Sequence, residues 1–220
     1  MGEVMQKLAI IALKYLEPEW QETQDCLSKV NYPVFYADRD GVGNMSRAFN
    51  EAFDKYVKGK FEYVWFVTNI TFAPDVPDSL LSTLQMANEF KLKFIACHPG
   101  MNSSDHVTHW VDGSDIIKTV PFVELTAPMY NCRLFEEYMF CEHTWYYYMD
   151  LIIGYHARQD GYELLVDTSV EVNHTYLRKQ VKKHPISIIR EQLRNHQTPL
   201  SKAYMVKTYG EDWQSKLWPK

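Results

Sequence analysis

The chain has 220 residues, 46% hydrophobic and 15% aromatic, with a formal net charge of −5 and a pI near 5.9. A chain of that length buries roughly 70% of its unfolded surface, so one core can hold it without disulfide or metal staples. The acidic balance gives no general attraction to nucleic acid or to an anionic membrane. No apolar run approaches the roughly 18 residues of a membrane span, and no charged-then-apolar leader opens the chain, so a cytoplasmic setting is the expectation. Cys26, Cys97, Cys132 and Cys141 are scattered without a CxxC or zinc-site spacing, as expected of reduced thiols.

In chain order, Lys7 to Leu13 reads as a first strand, and the helix after it starts near Pro18 and ends near Lys29. A second strand, Tyr32 to Ala37, delivers Asp38, Arg39 and Asp40 to its carboxyl end, where Gly41 and Gly43 turn the chain. From Asn44 to Val57, Met45, Ala48, Phe49, Ala52, Phe53 and Tyr56 recur at helical spacing. Tyr63 to Val67 is a continuous aromatic and β-branched run, the signature of a strand covered on both faces. It turns polar at Thr68, Asn69 and Thr71, and in open α/β sheets such strand ends bind ligands.

A helix is predicted from Ser79 to Phe90 and a strand from Leu92 to Cys97; His98 to Lys118 then reads as a long irregular passage. Further strands are predicted at Thr119 to Met129 and Glu163 to Val172, flanking a helix from about Tyr146 to Arg158. Two helices, Ile186 to Arg194 and Leu200 to Tyr209, precede a polar tail. The pattern predicts an α/β fold with a mainly parallel central sheet flanked by helices, plus short C-terminal helices. Residues 1–179 form the main domain and residues 180–220 a helical appendage packed on it.

Asp150 stands beside the aromatic block Trp145 to Tyr148. A carboxylate there is a candidate general base if desolvation lifts its pKa, and an ordinary solvated helix-start carboxylate if it does not. His174, at the end of the last strand-like run, fits a metal or phosphate site as well as a structural role, and His98 has the same ambiguity. No Walker loop, GxGxxG, HExxH or GxSxG motif is present.

Together, Asn50, the Tyr63 to Thr71 stretch, Val120-Pro-Phe-Val-Glu124, Arg133 to Glu137, Phe140-Cys-Glu142 and Gly161-Tyr162 resemble inverting glycosyltransferases of family 2, over about residues 7 to 178. The resemblance implies a GT-A-type, Rossmann-like fold and transfer of a sugar from a nucleotide-diphosphate donor, a UDP-sugar by preference, to a hydroxyl acceptor such as a glycan. It puts Asp150 on the family's catalytic base and His174 on the histidine near metal and diphosphate. Asp38, Asn69, Thr71 and Arg178 join His174 on the donor side, and His98, Trp110, Trp145 and Glu142 lie on the acceptor side.

Two departures accompany it. Thr68-Asn-Ile70 stands where the family carries a D-x-D or N-x-D metal motif, and Met149 replaces the glutamate before the base. Neutral oxygens hold Mn or Mg weakly, so any metal, with His174 as a ligand, is expected to bind loosely. The rival reading is a non-catalytic relative that binds nucleotide-sugar or glycan as a scaffold. A third is a transferase acting on a nucleic-acid base, which the acidic pI disfavours.

Overall fold

In the computed structural model, which describes residues 5–14, 19–39, 43–89, 93–102, 117–145, 147–174 and 186–219, the two apolar runs nearest the amino end lie side by side. β1 (Gln6–Leu13) pairs in parallel with β2 (Val34–Ala37) on one flank and with β3 (Phe61–Val67) on the other. Helix α1 (Glu19–Leu27) and helix α2 (Met45–Ala52), prolonged by a π-helical turn at Phe53–Val57, make the two crossovers. Next come β4 (Thr71–Phe72), α3 (Val76–Glu89), β5 (Phe94–Met101), β6 (Ile117–Val120), β7 (Met129–Asn131) and α4 (Cys132–Tyr138). The chain continues through α5 (Met149–Gln159), β8 (Glu163–Asn173), α6 (Ile186–Tyr209) and α7 (Trp213–Leu217).

The sheet runs β2-β1-β3-β7-β5-β8-β4, with β6 also on β8. It is mixed, not mainly parallel: three strand pairs are parallel and four antiparallel. The short β7 inserts antiparallel to both β3 and β5. A strand buried on both faces carries the same apolar run in either direction, so its composition does not reveal which way it runs. Because β7 opposes both neighbours, β3 and β5 point the same way, and β1, β2 and β8 follow them by their parallel pairings.

Alternate residues of β3 feed opposite layers. Trp65 packs with Trp20, Leu80 and Leu84 under α1 and α3, while Phe66 packs with Phe49, Phe135 and Phe140 under α2 and α4. Phe66 is fully buried and meets Phe49 edge-on at 5.0 Å, and burial of such a ring contributes about 1.5–3 kcal/mol. A smaller cluster joins Phe122, Leu151 and Ile152 to Met205, Trp213 and Leu217.

Several boundaries differ from expectation. β5 continues through His98 to Met101, with a register shift between Pro99 and Gly100, because a bulge tolerates the proline's missing donor. The expected strand from Thr119 to Met129 is instead β6 and β7, separated by a buried irregular stretch between Pro121 and Pro128, since neither proline can donate to a ladder. The two expected C-terminal helices are one, running on through Pro199, and the polar tail contains α7, whose Trp213 and Leu217 are buried. No helix among the described residues is long and apolar enough to cross a membrane.

Candidate functional site

Because β1, β2, β3, β5 and β8 share one direction, Lys14, Asp38, Thr68, Asn102 and His174 follow their strands at one edge of the sheet. Lys14 Nζ pairs with Asp38 Oδ2 at 3.3 Å, both half-exposed. Asn69 and His174 are buried, Thr71 lies opposite Asn173 in β4, and the His174 N–H donates to Asn102 Oδ1 at 3.2 Å. The sheet therefore brings the described donor-side candidates to a common rim. Arg178 and Trp110 lie outside the described residues.

The stretch from Glu124 to Ala127 forms a ledge along this rim. The Thr68 N–H and hydroxyl both donate to Thr126 O at 3.0 Å, and Trp65 Nε1 donates to Ala127 O at 2.8 Å. The Ala127 N–H donates to His98 Nε2 at 3.2 Å, while His98 Nδ1 donates to Pro99 O at 2.6 Å. Those two bonds fix a neutral imidazole, and burial lowers its pKa to about 3. His98 is thus an internal post under the ledge, fully buried, with both ring nitrogens engaged.

Asp150 reaches the same ledge from the first turn of α5. Its Oδ1 accepts the Leu151 N–H at 2.9 Å. Burial raises its pKa from 3.8 to about 6, against hydrogen bonds from the backbone N–H groups of Leu151, Asp150 and Leu125. The Leu125 contact ties the carboxylate to the strand end, since Leu125 adjoins Thr126, the acceptor for Thr68. Tyr148, the residue capping α5, has φ 73°, a left-handed conformation that costs a bulky residue about 1–3 kcal/mol. Trp213 of α7 packs edge-on against Tyr148 at 4.9 Å and holds it there.

The segment leading to α5 is clamped by α2. Asn50 Nδ2 donates to Phe140 O at 2.8 Å and its Oδ1 accepts the Phe140 N–H at 3.1 Å. Glu142 is engaged by Arg47 Nε at 3.0 Å and Asn50 Nδ2 at 3.2 Å, so its carboxylate is occupied as a strut. Asn44 Nδ2 donates to Glu142 O at 2.6 Å, and the Met45 N–H donates to the carbonyl of the half-buried Trp145 at 3.3 Å. Lys14, Leu125, Thr126 and Tyr130 are not among the residues expected from the sequence. The paired prolines 121 and 128, which bracket a buried non-strand segment, were the available signal.

The residues at the end of β3 do not make a hard-cation site. Ile70 is fully buried in the layer with Leu80 and Trp65, leaving neutral Thr68 and Asn69 at the strand end. Among the described residues, no three His, Cys, Asp or Glu side chains are grouped so as to hold a metal ion.

No family model matches the sequence, and no curated protein does. Among solved structures, the chain resembles the crystal structure of GalNAc-T7 with UDP, GalNAc and Mn2+, at 11% sequence identity and a TM-score of 0.54. The match covers 99% of this chain and 59% of that one, so the chain spans less than two thirds of its neighbour's length. At that identity the likeness is one of fold, a GT-A-like fold built here on a mixed sheet.

Proposed function

We propose that the protein is an inverting glycosyltransferase of the family 2 type, taking a sugar from a nucleotide-diphosphate donor, a UDP-sugar by preference. The observation that carries this reading is Asp150, a carboxyl raised to about 6 at the rim where five strands end. A base with that pKa is mostly ionised at neutral pH yet basic enough to accept a proton as attack proceeds. Asp150 takes the proton of the acceptor hydroxyl, whose oxygen bonds to the anomeric carbon as the carbon–oxygen bond to the diphosphate breaks on the opposite face. One base and one in-line displacement invert the centre. Asp38, Asn69 and Thr71 then face the donor, with His174 on the diphosphate side, a role the resemblance also gives to Arg178, which lies outside the described residues; Trp145 borders the acceptor. Residues 1–179 carry this chemistry and 180–220 pack as its appendage.

A second reading, a non-catalytic nucleotide-sugar binder, draws on the neutral donors at the end of β3, which leave a diphosphate without the family's usual metal. One experiment separates the two: a thermal-shift panel of nucleotide sugars with and without Mn, followed by product analysis for any donor that stabilises. A ligand at a hundred times its dissociation constant stabilises by about 2.7 kcal/mol. Stabilisation with transfer supports the enzyme, stabilisation without transfer the binder, and no shift by any nucleotide sugar rejects both.

A further inference from the structure

Tyr130 sits in the middle of β7, between Val64 of β3 and Ala96 of β5. Its side chain is fully buried against Phe66, Phe135 and Phe140, with ring centroids 6.0, 5.2 and 6.1 Å away. In that aromatic cage its hydroxyl has no hydrogen-bond partner among the described residues. Phenylalanine would fill the same space without stranding a polar atom, so the oxygen requires an explanation beyond packing.

Tyr130 shares its buried cluster with Met149 and Ile153 of α5, the helix whose first turn carries Asp150. Burial, and after it the charge of Asp150, pushes the Tyr130 phenol well above its usual range. The hydrogen bonds that act on Asp150 come from backbone N–H groups. Among the described residues, Glu142 is committed to Arg47, Lys216 of α7 to Asp212, and Arg158 to the carbonyls of Pro121 and Leu217. Among the described residues, the Tyr130 hydroxyl is a buried side-chain donor without a partner.

We propose that the Tyr130 hydroxyl is a positioning group for Asp150, donating to its carboxylate through one bridging water. This rests on the reading of Asp150 as the base. A water between a phenol and a carboxylate satisfies both at little entropic cost. Burial drives the carboxyl towards its protonated form, and a donated hydrogen bond favours the ionised form, so Tyr130 keeps the base charged at neutral pH.

The test is the carboxyl titration of Asp150, followed by NMR on protein carrying 13C-labelled aspartate, with Asp150→Asn to assign the signal. In Tyr130→Phe the midpoint is expected to rise by about one pH unit while the other aspartates stay in place. An unchanged or lowered midpoint in a folded variant overturns the proposal. Should Tyr130→Phe fail to fold, a fluorinated tyrosine at position 130 keeps the hydroxyl and makes it a stronger donor. The midpoint must then fall, and a fixed one overturns the proposal. The titration needs no substrate, so its result stands apart from transfer. A responsive Asp150 in a protein that moves no sugar sinks the proposed function alone, and an unresponsive Asp150 in an active enzyme sinks this inference alone.

Discussion

Replacing Asp150 by asparagine should stabilise the protein at alkaline pH while disabling it. The amide has the shape of the protonated acid and retains an oxygen to accept the Leu151 N–H. In the parent, burial raises the carboxyl from 3.8 to about 6. A raised carboxyl contributes stability that is fully present below its unfolded pKa and is lost as pH climbs through the folded one, so the loss falls between about pH 4 and 6. About two units at 1.36 kcal/mol each set a ceiling of ~3 kcal/mol, and partial solvent access at Asp150 trims this to ~1–2 kcal/mol. Urea unfolding from pH 4.5 to 8 should show parent and variant close together in acid. At pH 8 the variant's midpoint should stand about 0.5–1 M higher, for an m-value of about 2 kcal/mol/M. Turnover should fall by about 10²–10⁴-fold with donor binding nearly intact. A gap that does not vary with pH, or a variant no more stable at pH 8, would refute the claim that Asp150 is held in a desolvating site.

Trp213→Ala removes a buried ring from α7 and should cost about 3–5 kcal/mol, read by urea unfolding. It should also lower the Asp150 midpoint by letting water reach the start of α5, and a loss below about 1 kcal/mol would mean that α7 is not part of the core. Calorimetric titration with Mn should show no micromolar site at the end of β3. Ile70→Asp should destabilise the fold by burying a charge beside Leu80 and Trp65 instead of restoring a metal ligand. Micromolar Mn binding by either protein through this loop would reject that account.

The buried strand at Tyr63 to Val67 and the helical spacing of Met45 to Tyr56 were legible because composition and periodicity report burial directly. Strand direction was not, since Met129 and Tyr130 look alike read forwards or backwards, and the parallel expectation failed at that strand. Candidate residues that end strands, Asp38, Asn69 and His174, were found because each polar residue closes an apolar run. The environment of Glu142 was not, because its partners Arg47 and Asn50 lie some 90 residues away and only packing brings them together. His98 stood at the start of the expected irregular passage, open to a ligand or a structural role, because Pro99-Gly100 looks like a turn, whereas a bulge lets β5 absorb both.

The clasp of Trp213 on Tyr148 also bears on how the molecule comes into being. A chain made from its amino end completes β3, the ledge and α5 well before residue 213 is synthesised. Until then Tyr148 lacks the neighbour that holds its left-handed backbone, and relaxation towards ordinary geometry would swing the start of α5. A nascent chain halted before α7 should therefore be able to build its sheet without yet presenting Asp150 in its final setting.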